Sequence, residues 1–408
     1  MERNIITTIS FHPGVVAISV LEKLSTNVVE IFNDSADISK VNTFIEISLS
    51  HVEKLIGGKV SKATFVVDPS NTVEQNISLQ RDAIQIVGET VSKLDIENLI
   101  QLITDKNSNN SRRTILVQPL KFEVKDIMTK SYSSAPIHKP GNILTITTSV
   151  TTISKQAYEF VQQTAKAVGI EVAQILLSNQ TVAFANLSKN ALTDGTVLID
   201  INDNQVNITV NKNNSIVASM SLYDYGFKYL IKGIMLEFNC SEESARDLVA
   251  AHASVRTVNK RVIYSKQIGS DDWSFTNFDL ENIIKKYLLK LVAIVKKYIT
   301  QKNVDRLPIV ISGKLNKVNG LTNFLIEKMQ AESIIVHNPI SFIGMNEFNT
   351  NSLGVIEFIE IIDNVLGRQY DTIVHTNPNT LKSLRSTHQP KGWITRFKNK
   401  IGGKHEWN

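Results

Sequence analysis

The same three-run pattern occurs twice in this chain, and that repetition limits the folds open to it more than any other feature. Residues 5–9 and 15–21 are rich in β-branched side chains and are separated by Ser10-Phe11-His12-Pro13-Gly14, a turn composition. They are expected to pair as a hairpin, with residues 28–32 adding a third strand. Residues 197–201 and 206–210 repeat the hairpin, and residues 216–222 repeat the third strand. A chain that builds the same meander at two places is expected to fold as two similar α/β halves.

Ile45, Leu49, Val52 and Ile56 recur at helical spacing before Gly57-Gly58, and residues 63–67 read as a buried strand. Ser92, Asp95 and Glu97 ahead of Leu99, Ile100 and Ile103 mark a short helix, followed by a polar loop at 106–113. Strands at 115–117 and 122–127, a Pro/Ser-rich turn, an alternating run at 143–150 and a helix at 156–168 stopped by Gly169 complete a small α+β insert. Residues 229–255 and 280–299 read as mainly helical, and 305–312 as a strand entering a turn at Gly313. Residues 334–336 and 353–362 close the folded part. The segment 363–389 is polar, rich in Thr and Asn and aperiodic, the composition of a linker.

With 42% hydrophobic and 20% charged residues, the chain can bury a large core in more than one domain. No apolar run approaches the roughly 18–20 residues needed to cross a bilayer. Residues 1–10 lack the pattern of a secretory signal, and Cys240, the sole cysteine, cannot form an internal disulfide, so a cytosolic chain is expected. The net charge of +5 is unevenly spread: residues 372–405 hold seven Lys or Arg and no acidic residue, which leaves the body mildly acidic. Such a tail points to an anionic surface, nucleic acid or phospholipid. The body has no basic stripe with interleaved aromatics, so nucleic acid is not expected as the partner.

The order of hairpin, helix, α+β insert, second hairpin, helical part, strand-Gly-turn-helix, linker and terminal amphipathic helix resembles the bacterial cell-division protein FtsA family over essentially the whole chain. Residues 114–122, with Pro119, resemble the start of that family's extra subdomain, and 135–141 its Asn-Pro-rich loop. Residues 169–175 resemble its step back into the first large domain, 194–210 its second phosphate hairpin and 310–321 its adenosine loop. Residues 334–339 and 351–357 resemble its closing segment. The resemblance implies an α/β, actin/Hsp70-like (ribonuclease H-like) duplicated fold. Its large subdomains would be 1–76 with 169–192 and 193–222 with 304–366, its insert 77–168 and its helical subdomain 223–303. A linker at 367–390 would lead to a membrane-targeting helix at 391–404.

It also implies an adaptor that tethers FtsZ polymers to the inner face of the cytoplasmic membrane at the division site and self-associates through the insert. The helical subdomain would receive the FtsZ tail, and Lys285, Lys286, Lys296 and Lys297 lie on helices there. An active ATPase forming membrane-bound filaments and a pilus-assembly adaptor share the fold and are the alternatives.

In active members of this fold two glycine-rich hairpins present backbone N–H groups to phosphates, and acidic residues hold Mg²⁺ and activate water. Here the first hairpin reads Ser10, His12 and Pro13, which removes a carboxylate and a donor nitrogen. In the second, Asp200 stays, but the glycine run becomes Asn202-Asp203-Asn204, suited to a type I′ turn, and a later Asp becomes Asn207. Asp203 puts a negative charge where a triphosphate should sit, at a cost of roughly 1–4 kcal/mol for a charge about 4 Å away. Lys314 replaces a glycine of the adenosine loop, the nucleoside contacts become Ala245, Arg246 and Val249, and Ser178-Asn179 replace Glu-Pro. What remains of an ATP/Mg²⁺ site by resemblance is Asp200, Gly226 and Gly313. No catalytic residue, metal cluster or ATPase activity is expected, and ATP is expected to bind weakly or not at all.

In the tail Trp393, Phe397 and Ile401 recur at i, i+4 and i+8 with Ile394 beside them, one apolar stripe. Arg396, Lys398 and Lys400 lie off it with Lys391 and Lys404, and Gly402-Gly403 end the helix. This is the pattern of a helix lying in the headgroup plane of an anionic membrane.

Overall fold

The computed structural model describes residues 4–24, 27–268, 271–331, 333–336, 347–366 and 373–374. The chain begins with β1 (Asn4–His12), β2 (Val15–Lys23), β3 (Val28–Asp37), α1 (Val41–Ile56), β4 (Lys59–Val60) and β5 (Lys62–Val67). Then come β6 (Asn76–Gln85), α2 (Lys93–Asn107), β7 (Arg112–Lys125), β8 (Thr129–Tyr132), β9 (Ile143–Ser154) and α3 (Lys155–Val168). The crossing to the second half uses β10 (Glu171–Leu177), α4 (Ser178–Asn186) and α5 (Lys189–Asp194). The second half holds β11 (Thr196–Ile201), β12 (Gln205–Lys212), β13 (Ser215–Tyr223), α6 (Phe227–Phe238), α7 (Glu242–His252), β14 (Val262–Ile268), β15 (Asp271–Thr276) and α8 (Asn277–Gln301). It continues through β16 (Ile309–Gly313), α9 (Leu321–Met329), β17 (Ile334–Val336), α10 (Glu347–Leu366) and β18 (Ile373–Val374).

The duplication is borne out strand by strand. One sheet runs β10-β5-β1-β2-β3 and the other β13-β12-β11-β16-β17. Each is an antiparallel three-strand meander whose first strand pairs in parallel with a later one, Thr8 opposite Thr64 in the first and Leu198 opposite Val310 in the second. Strand alternation sends Ile5 and Ile9 to the outer core under α1 and α3 but Ile6 inward, and it sends Val197, Ile199 and Ile201 outward but Leu198 inward. Between the two inward faces lie α4 and α10, which meet through Phe184 and Phe358, ring centroids 5.5 Å apart. Asp200 shares the parity of Leu198 and therefore points toward the interior between the halves.

The insert is a four-stranded sheet, β6-β9-β7-β8, covered by α2 through Leu99 and Ile103. The capping pattern read at Ser92 is formed: its hydroxyl accepts from the Asp95 N–H, and the Asp95 carboxylate accepts from the Ser92 N–H. Expected strands 115–117 and 122–127 are one strand, β7, with Pro119 at a register shift, where a missing N–H is tolerated. Among the pieces not expected are the half-exposed edge strand β6, the short β8, helices α4 and α5, and the β14–β15 hairpin, whose Phe275 stacks on Phe238 of α6 at 4.4 Å. Residues 353–362 belong to α10, and within the expected linker Ile373 pairs with Val60 of β4. The type I′ turn is also relocated. Asp203 and Asn204 do not have positive φ, whereas Asn213 and Asn214, at 53° and 59°, make that turn between β12 and β13.

Candidate functional site

The tips of the two hairpins face each other across a cleft of about 220 Å³, below the roughly 300–1,000 Å³ common for small-ligand pockets. His12 and Pro13 of the first tip form one wall, and residues 202–205 of the second form the other, with Ser178 and Asn351 at the back.

The first tip is a Pro13-Gly14 turn, with Gly14 at a φ of 79°, as a type II turn requires. It carries His12 to the end of β5, where Nδ1 lies 2.9 Å from Asp68 Oδ2. Asn351 Nδ2 of α10 is 3.4 Å from His12 Nε2, and Thr181 Oγ1 of α4 donates to Asn351 Oδ1 at 2.6 Å. A neutral imidazole protonated on Nδ1 satisfies both contacts, donating to Asp68 and accepting from Asn351. The first wall is thereby tied into both helices that lie between the halves.

The second tip is held from behind by backbone. Phe227 and Lys228 N–H donate to the carbonyls of Asn202 and Asp203 at 2.7 and 2.8 Å, so the first amides of α6 are spent on protein oxygens. At the front, Asp203 Oδ1 is 3.3 Å from Arg246 Nη1, and Oδ2 is 3.7 Å from Lys314 Nζ. Arg246 also binds Glu242 at 2.9 Å and lies over the Phe227 ring, 5.5 Å from its centroid. Burial favours loss of its proton, but the bonds to Glu242 and Asp203 outweigh burial and hold its pKa above the ordinary arginine value. The hairpin, the helical part and the loop after β16 therefore meet at one carboxylate.

None of the residues carried over for nucleotide lines this cleft. Asp200 is 5% exposed, and its Oδ1 accepts from Ser312 Oγ at 2.6 Å, inside the sheet. A Cβ on Gly226 would lie 2.4 Å from the Gln205 nitrogen, and one on Gly313 would lie 2.2 Å from the Ile201 oxygen. Asp200 and Gly313 lie where β11 meets β16, and Gly226 packs against the hairpin tip from behind, so all three support backbone. Asn179, at the Glu-Pro position, donates to Gln75 Oε1 at 2.9 Å and to Ser219 Oγ at 2.8 Å, joining α4 to β13 and to the segment that leads into β6.

Sequence reading missed Asp68, Asn351 and Lys228 as cleft residues. Asp68 had a usable signal: it is the first polar residue after a buried parallel strand, and ligands in α/β sheets gather at strand carboxyl ends. Among the described residues no His/Cys/Asp/Glu group could hold a metal, and no helix is long and apolar enough to cross a membrane. Trp393, Ile394, Arg396, Phe397, Lys398, Lys400 and Ile401 lie outside the described residues.

No family profile and no curated protein matches the sequence. Among solved structures, MreB5 of Spiroplasma citri bound to ADP matches with a TM-score of 0.51 at 12% identity, over 89% of this chain and 98% of that one. The PilM-PilN type IV pilus biogenesis complex matches with a TM-score of 0.50 at 10% identity, over 89% and 98%. The chain has the actin-like ATPase fold. At such identities the likeness speaks for the fold alone, and the fold is the one that the resemblance in sequence implied.

Proposed function

We propose that this protein is a non-enzymatic membrane adaptor of a cytoskeletal division ring, similar in role to FtsA. It would join FtsZ polymers to the cytoplasmic face of the membrane and associate with its own copies. The observation that carries the adaptor reading over the ATPase one is the carboxylate of Asp203 at the hairpin tip, countered by the protein's own Arg246 and Lys314. Two cations balanced in this way need no nucleotide to neutralise them, and the hairpin lacks the glycine run whose amides cradle phosphate.

Two features support the partners. The tail combines an apolar stripe, Trp393, Phe397 and Ile401, with basic flanks. Four apolar side chains and several cations give a few kcal/mol of interfacial binding, largely offset by helix ordering, so a single molecule would bind reversibly. Copies joined in a filament would gain avidity. The helical part offers α6, with Leu236 84% exposed, and α8, with Leu289 46% exposed and Lys286 and Lys290 near it on the same helix. Such a surface fits a tail with apolar and acidic side chains.

The fold shared with PilM-PilN supports a second reading, a pilus-assembly adaptor. Co-sedimentation with FtsZ polymers separates the two. The full chain is expected to pellet with FtsZ and to stay in the supernatant with FtsZ lacking its C-terminal tail. Equal pelleting with both forms, or none with either, contradicts the division reading.

A further inference from the structure

We propose that Asp203 is an internal stand-in for a ligand phosphate, and that Arg246 and Lys314 form a masked site for a phosphate-bearing anion. The inference rests on the reading of the cleft as one that works without nucleotide, and it names what keeps nucleotide out.

The two cations come from separate elements, α7 and the loop after β16, and each takes a different oxygen of the same carboxylate, at 3.3 and 3.7 Å. A phosphate group offers oxygens to two such donors in the same way. Asp203 reaches them from a hairpin tip that lines the cleft, and Lys228 lines that cleft as well. Among the described residues, Glu242 binds Arg246 along α7, and Asp68 pairs with His12 on the opposite wall. Loss of the Asp203 charge would make the potential at the hairpin tip, beside Arg246 and Lys314, more positive.

The surroundings would survive that loss. The Phe227 ring and Glu242 hold the guanidinium of Arg246 without help from Asp203. The hairpin tip is kept by backbone bonds, Lys228 N–H to the Asp203 carbonyl and Asn202 N–H to the Gln205 carbonyl, which are independent of the side chain. Asp203 also ties the tip to α7 and to the β16 loop, so the same carboxylate that excludes an anion braces the cleft a ligand would otherwise bridge. A carboxylate and a phosphate cannot share two cations at this range without strong repulsion, so competition between them is expected to be close to all-or-none.

The test is isothermal titration of the full chain with sodium pyrophosphate and with Mg²⁺·ATP, comparing the native protein with D203N and D203S, each checked for folding by thermal melt. The two substitutions guard against one of them failing to fold. The native chain is expected to take up neither probe at micromolar concentration. Asp203→Asn should bind pyrophosphate at least roughly tenfold more tightly, an affinity that falls with added salt and is lost again when R246Q and K314Q are added. Folded D203N and D203S proteins that bind no better than the native chain would overturn the masked site while leaving the adaptor reading intact. A gain that survives R246Q with K314Q would overturn it too. Micromolar Mg²⁺·ATP binding by the native chain would overturn the nucleotide-independent cleft itself.

Discussion

Gly313 adopts a φ of 95°, and a Cβ there would lie 2.2 Å from the Ile201 oxygen. Both facts place its role in the join between β11 and β16, with Lys314 N–H donating to the Ile201 carbonyl at 2.9 Å. Gly313→Ala is therefore expected to destabilise the fold by about 3 kcal/mol or more, from left-handed strain and overpacking together, read as a fall of several degrees in Tm. An unchanged Tm would mean that the glycine serves a ligand and not the sheet. At this scale the sequence was a partial guide. A glycine at 313 and a carboxylate at 200 were legible as a fold signature, but the burial of Asp200 and the packing of Gly313 on Ile201 were not, because both depend on which strand ends lie side by side. His12 read as a loss of chemistry, and its bonds to Asp68 and Asn351, distant in sequence, could be seen only once β5 and α10 were placed.

The elements that were legible are those whose pattern is local. The meanders β1–β3 and β11–β13 announce themselves by β-branched runs, and α1, α2 and α3 by 3.6-residue spacing with Gly57, Ser92 and Gly169 at their ends. Strand β6 was hidden because it is a polar edge strand whose pairing to β9 supplies the order its own sequence lacks. Helix α10 was hidden by Asn-Thr-Asn-Ser at its start and by Gly354 in its middle, a poor residue for an isolated helix. That glycine is where α10 crosses α4: a Cβ would lie 1.8 Å from the Thr181 carbonyl oxygen. Gly354→Ala should force the two helices apart and cost about 3 kcal/mol, with faster amide exchange in α4 and α10 but not in the insert sheet. Gly233 in α6 is the control, since a Cβ there meets only Ile283 Cγ2 at 3.6 Å, and Gly233→Ala should stabilise by about 0.5–1 kcal/mol. Equal melting shifts for the two substitutions would contradict the helix crossing.

Over the whole molecule, two halves with the same strand order close on a cleft whose charges are balanced from within, and the tail carries an amphipathic stripe. The fold was readable because duplication is a property of the sequence itself. The balance of the cleft was not, since Asp203, Arg246 and Lys314 are joined only by tertiary structure. The proposed adaptor would divide labour between the body, which would hold the polymer, and the stripe of Trp393, Phe397 and Ile401, which would hold the bilayer. On the proposed reading the stripe would bind by apolar burial that salt hardly weakens, while Arg396, Lys398 and Lys400 would act through a field screened within about 10 Å at 0.1 M salt. The most direct measurement is flotation of FtsZ polymers with anionic liposomes in the presence of the full chain or of a chain ending at Gln389. The full chain should carry the polymer up with the liposomes, and the shortened chain should bind polymer but leave it at the bottom. Equal flotation with both chains, or none with the full chain, would contradict the adaptor reading.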